Sequence, residues 1–181
     1  MQKKKLNLNI ERLNIDQIAS IGDLKFDVIY SHGVLEHLRK PIEYINLLNN
    51  YLKKKGIVFT SVANDFNLFQ YSYTYGKKIK PWWIIPPEHI NYFNVNSIQK
   101  LFHKRGFRTK DITTSFPIDM FLLMGIDYIA KKNLGKDAHD FRKKFEENLK
   151  ISGLEDLLKS LQENFTKLNI GRQIDLIVQK K

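Results

Sequence analysis

The sequence contains no cysteine. Disulfides, cysteine-ligated zinc and thiol nucleophiles are therefore excluded, and the composition is compatible with a reducing cytoplasm. Glycine is scarce as well. There are nine glycines in 181 residues, and no G-x-G occurs anywhere in the chain. A phosphate-cradling loop requires close backbone approaches that glycine alone permits, so P-loop chemistry is not indicated. No apolar run is long enough to span a bilayer: Met120 to Ile126 is bracketed by Asp119 and Asp127 and falls far short of ~18 residues. The N-terminal MQKKKLNLNIERLN has a basic start without the continuous apolar segment of a secretory signal. A soluble protein is expected, and the Asn164-Phe165-Thr166 sequon carries little weight in that setting. H-E-x-x-H and G-x-S-x-G are also missing, which argues against metalloproteases and α/β-hydrolases.

Hydrophobic residues make up 43% of the chain and aromatics 12%, which is the composition of a globular protein with a sizeable core. Lysine and arginine outnumber the acids by 30 to 19, a formal charge of +11. Such a charge favours anionic partners. The lysines are scattered in twos and threes, however, and RRM, KH and zinc-finger signatures are absent, so nucleic-acid binding rests on charge alone.

Residues 6 to 15, LNLNIERLNI, alternate apolar and polar at period two, the pattern of a strand with one wet face. Turn formers follow around Gly22-Asp23. FDVIY, residues 26 to 30, lacks that alternation and reads as a central parallel strand covered on both faces. It then breaks into small and ionisable residues, SHGVLEH, where a ligand would sit. Pro41 opens a helix whose Ile42, Ile45, Leu48 and Leu52 share one face, with Lys53 to Lys55 at its end and Gly56 as the stop. Ile57 to Val62 is the next strand. Strand, helix and strand with short links make a βαβ crossover and imply an α/β fold with parallel pairing.

Residues 65 to 93 are irregular and aromatic, with Pro81, Pro86 and Pro87 opposing a regular helix. They read as a lid-like segment packed over a cleft. Asn96 and Gln99 have capping-box spacing for a helix that Gly106 ends, and Phe107 to Thr114 reads as a strand. Two amphipathic stripes, residues 137 to 149 and 154 to 168, read as helices joined near Gly153, within a helical insertion at about residues 118 to 168. RQIDLIVQ, residues 172 to 179, fits a final strand. One domain is expected.

FDVIYSHGVLEHL, the Pro-led helix and IVFTSVAN together resemble the fourth-to-fifth-strand region of class I S-adenosylmethionine-dependent methyltransferases. PPEHINYFNVNSIQKLFHKRGF resembles the segment that follows there, and GRQIDLIVQKK looks like that fold's last strand. The resemblance implies a Rossmann-like sheet, N-terminally incomplete, with helices on both faces and an antiparallel last strand. It also implies S-adenosyl-L-methionine as cofactor and methyl transfer to an oxygen or nitrogen of a small molecule, glycan or lipid precursor. The family's glycine-rich turn has no counterpart here, and the likeness begins near the family's third strand, so the chain reads as the C-terminal portion. In the family's strand order 3-2-1-4-5-7-6, the last four strands are contiguous. FDVIY would then stand at an edge, open to self-association or to cover by another chain or by residues 6 to 15.

By the same resemblance Ser31, His32 and Gly33 line the methionine half of the cofactor site, and Ile15 and Asp16 lie near the adenine. The plain alternative for each is a turn residue. His37, next to Glu36, is a candidate base for the methyl acceptor, and His89 is a candidate substrate contact. A structural hydrogen bond would explain His37 as well. Trp82 and Trp83 could stack on a ring substrate, although core packing is the commoner fate. The alternative from another class is a non-catalytic module that binds a partner chain or an anionic polymer.

Overall fold

The structure is a computed structural model and describes residues 12–131 and 133–181, without the side chains of Asp16 and Ala19. Its frame is a four-stranded sheet of β1 (Phe26–His32), β2 (Leu52–Ala63), β3 (Phe107–Thr114) and β4 (Gln173–Lys180). The spatial order is β1-β2-β4-β3. β1 and β2 are parallel, and β4 runs antiparallel to both β2 and β3. This is the α/β class with the antiparallel last strand expected from the sequence, and the contiguous quartet of strands is in place.

Between the strands lie α1 (Pro41–Tyr51), α2 (Leu68–Lys77), α3 (Val95–His103), a short α4 (Met120–Leu123), α5 (Asn133–Ile151) and α6 (Glu155–Lys167). Alternation along β2 and β4 sends Val58, Val62, Ile174, Leu176 and Val178 to one face. There they meet Ile45 and Leu48 of α1 and Ile98 and Phe102 of α3 in the main core. α6 packs beside β3, where Thr166 Oγ1 accepts from Thr114 N at 2.8 Å. A second aromatic cluster joins Phe116 to Phe121, Phe145 and Phe165.

Several local expectations are corrected. The strand expected over residues 6 to 15 lies outside the described residues up to residue 11, and its end is not a strand. Ile15–Ile21 is a 3-10 helix. Gln17 explains the change: its N–H donates to Asn14 O and its side chain accepts from Asn14 N, both at 2.9 Å, offering the backbone a turn in place of a ladder.

β1 is not covered on both faces. Ile29 and Ser31 face the core, while Val28 and Tyr30 are 60% and 66% exposed on the opposite face. Lys53–Lys55 belong to β2 rather than to the end of α1, because the buried Leu52 draws the chain directly into the sheet. Gly56 is needed for close packing, since a Cβ there would stand 2.9 Å from Leu52 Cδ2 and 3.0 Å from Lys53 O. The capping box before α3 is Asn94 with Ser97, not Asn96 with Gln99. α2 was not expected at all; Asn67 and Gln70 cap it reciprocally. No described helix is long and apolar enough to cross a membrane.

Candidate functional site

β1 and β2 run parallel, so their carboxyl ends open on the same side of the sheet. β1 ends at His32, and Gly33 turns the chain with φ +62°, its N–H donating to Ser61 O at 3.0 Å. Only glycine takes that conformation without strain, and beyond it the nearest atom to an added Cβ is Glu36 Oε1 at 4.0 Å. The result is a cleft of about 180 Å³ lined by His32, Gly33, Glu36, Ser61, Ala63 and Arg172, among others. Its floor is a polar chain: Ser61 Oγ donates to Asp175 Oδ1 at 2.6 Å, and Gln173 Nε2 donates to Ser61 Oγ.

Two segments converge beside the cleft. The turn Leu35–His37 is tied to residues 88 to 91 through Glu36 O, which accepts from Ile90 N at 2.9 Å and Asn91 N at 3.1 Å. Asn91 Nδ2 adds bonds to Leu35 O and Leu38 O at 3.0 and 2.6 Å. This pairing sets the rings of His37 and His89 edge to face with centroids 4.8 Å apart. His37 Nδ1 lies 2.6 Å from Glu88 O. A carbonyl can only accept, so Nδ1 holds the proton and Nε2 keeps its lone pair in the neutral ring. Glu36 is 6% exposed and its Oε2 has no hydrogen-bond partner. One donor atom each of Glu36, His37 and His89 lie within 4.8 Å of one another. His37 also borders a larger cavity of about 610 Å³, with Ile15, Leu38, Arg39, Tyr44 and Leu47 in its walls.

Asp65, just past the end of β2, is buried and pairs through Oδ1 with Arg172 Nη1 at 3.3 Å. Burial raises its carboxyl above the ordinary range, and Arg172 offsets part of that rise. Neither residue was singled out from the sequence. The available signal was topological: a final strand antiparallel to β2 must begin beside the end of β2, which places Arg172 at the cleft.

The residues expected at the cofactor site separate into three groups. His32 and Gly33 line the cleft. Ser31 does not: it faces the core and its Oγ accepts from Tyr44 OH at 3.0 Å. Adjacent strand residues point to opposite faces, which turns the Ser31 side chain to the core while His32 lines the cleft. Ile15 opens the 3-10 helix and borders the larger cavity rather than the cleft. Asp16 is the next residue of that helix, and its side chain lies outside the description. Trp83 is buried against Phe66, and Trp82 packs on Tyr73, so both tryptophans serve the packing of residues 66 to 92.

A family model described as a methyltransferase domain matches residues 3–111, more than half of the chain. No curated protein matches. A solved SAM-dependent methyltransferase from Archaeoglobus fulgidus is 15% identical, with 94% of this chain and 66% of that one aligned at a TM-score of 0.53. The cyclopropane synthase MmaA2 from Mycobacterium tuberculosis is 14% identical over 99% of this chain and 65% of its own, at 0.49. Phosphoethanolamine N-methyltransferase 2 from Haemonchus contortus, solved with S-adenosyl-L-methionine, is 15% identical over 86% and 33%, at 0.40. The chain thus spans between about one third and two thirds of the length of these proteins.

Proposed function

The chain belongs to the methyltransferase-domain family, and on that premise we propose that it takes part in S-adenosylmethionine-dependent methyl transfer to an oxygen or nitrogen of a small molecule, glycan or lipid precursor. The observation that carries this reading is the cleft at the carboxyl ends of β1 and β2, with Glu36 in its wall and His37 and His89 clustered on Glu36. Open α/β sheets bind ligands at that end.

The residues present fit one end of the cofactor. A volume of about 180 Å³ is below the ~300 Å³ at which ligand pockets begin, and the chain has no glycine-rich turn for the remainder. His32 and the open backbone at Gly33 would hold the methionine end. When bound, the cofactor supplies a methyl group on a sulfonium, whose displacement rewards alignment and desolvation. His37 meets the acceptor from the larger cavity and, with His89 against its ring, assists the loss of the acceptor's proton. Ile15, Leu38, Tyr44 and Leu47 in the cavity's walls suit an acceptor with an apolar body, and of the two cations there Lys40 is paired with Glu43, which leaves Arg39 for an anionic group.

Calorimetric titration of the whole chain with S-adenosylhomocysteine tests this reading. Binding in the micromolar range, weakened about tenfold by His32→Ala, is expected; silence at millimolar ligand overturns it. A second reading then gains ground, that of a non-catalytic module. It is favoured by the lack of any G-x-G and by the exposed apolar residues of β1, which suit a partner chain.

A further inference from the structure

We propose that Glu36, His37 and His89 bind one divalent first-row metal ion of the imidazole-preferring kind, zinc or ferrous iron rather than magnesium or calcium. The three side chains come from two segments, the Leu35–His37 turn and residues 88 to 91, locked together by four backbone-directed hydrogen bonds. Their donor atoms lie within 4.8 Å of one another. Metal–nitrogen and metal–oxygen bonds of ~2.0–2.2 Å bring donors at that spacing onto a shared cation with small side-chain rotations.

Two further observations point to a ligand. Glu36 is 6% exposed, yet its Oε2 has no partner, and a buried carboxylate oxygen left unpaired is costly unless something binds it. His37 has its Nδ1 fixed on Glu88 O at 2.6 Å, the outer hydrogen bond that orients a metal-binding imidazole and leaves Nε2 to ligate. Two imidazoles and one carboxylate suit zinc or ferrous iron, whereas magnesium, calcium and manganese prefer oxygen. The cluster lies between the cleft that Glu36 lines and the cavity that His37 lines.

The cation's role, but not its binding, rests on the methyl-transfer reading. A hydroxyl acceptor ligated to it would lose its proton at lower pH, with the two imidazoles acting as ligands.

The test uses the untagged whole chain, stripped with a chelator and titrated with Co²⁺ by visible absorption and with Zn²⁺ by competition. One equivalent is expected, unaffected by millimolar Mg²⁺ and weakened at least tenfold by Glu36→Gln and by His89→Asn. His103→Asn, remote from the cluster, should change nothing. If Glu36→Gln fails to fold by circular dichroism, His89→Asn on the exposed segment carries the comparison. Failure of Co²⁺ to bind, or binding indifferent to both variants, overturns the proposal. If S-adenosylhomocysteine still binds in that case, the methyl-transfer reading survives. Cofactor silence with intact Co²⁺ binding would remove that reading and leave the metal site standing.

Discussion

Asp65 is buried with one oxygen toward Arg172 and the other unpaired. Burial disfavours its charged form by more than Arg172 restores, so its folded-state carboxyl titrates above the ordinary value of 3.8. The folded protein therefore holds this proton more tightly than the unfolded chain does. That contribution to stability is complete below the unfolded value and is lost as pH rises through the raised one. Asp65→Asn removes it. Urea midpoints measured from pH 3.5 to 7 should fall with pH in the wild type relative to the variant, and parallel curves would contradict the account. At the cluster, His37→Ala should lower kcat about 10²-fold or more with S-adenosylhomocysteine affinity unchanged, measured by single-turnover kinetics and calorimetry. An equal loss in both would make His37 a structural residue. His32, Gly33 and His37 stand out in the sequence because small and ionisable residues follow a strand run, and His89 because it is a lone imidazole in an aromatic segment. The Asp65–Arg172 pair was not, because its partners are 107 residues apart and meet only through strand order. Ser31 faces the core and Tyr44 instead, as alternation along β1 separates it from His32.

Elements with one dominant periodicity were legible. α1, α5 and α6 follow apolar stripes, and β3 and β4 follow β-branched runs with clear ends. α2 was hidden because Tyr71 and Tyr75 are exposed and its buried side is Gln70 and Tyr73, so no apolar stripe marks it. Its start was nevertheless written in Asn67 and Gln70, a capping pair outside the usual serine and threonine form. The start of α3 shifted by two residues for a tertiary reason. Asp65 N donates to Phe93 O at 2.8 Å, holding Phe93 extended so that Asn94 becomes the cap. The two caps should differ in energy. Asn94→Ala loses a half-buried cap and should cost about 1 kcal/mol. Asn67 is fully buried, accepts from Phe69 N and Gln70 N, and donates to Asp119 Oδ2 at 3.2 Å. Asn67→Ala also strands a buried carboxylate oxygen and should cost roughly 2–3 kcal/mol, read from denaturant midpoints at constant m-value. Equal costs would mean that the buried contacts of Asn67 contribute nothing beyond the cap.

Across the whole molecule, the position of β1 at the end of the sheet follows from the strand order, and that order was legible from the family resemblance. The openness of its outer face was not, because FDVIY carries no alternation to say which side would lack a neighbour. Among the described residues β1 pairs only with β2, and Val28 and Tyr30 stand out from the face where Tyr30 stacks on Phe59 at 5.2 Å. An exposed strand edge with an apolar face favours pairing with another chain. The net charge of +11 opposes pairing between two copies of this chain. Apolar attraction is insensitive to simple salt, whereas charge repulsion is screened within ~10 Å at 0.1 M. Self-association through β1 should therefore strengthen as salt rises from about 0.05 to 0.5 M, the reverse of an ionic contact. Val28→Lys places a further cation on the open face without disturbing the core and should leave thermal stability nearly unchanged. Losing the burial of one valine, worth about 1.5 kcal/mol, should weaken association roughly tenfold. Sedimentation velocity over a concentration series reads both effects. Association that weakens with salt, or that Val28→Lys leaves intact, would move the contact away from β1.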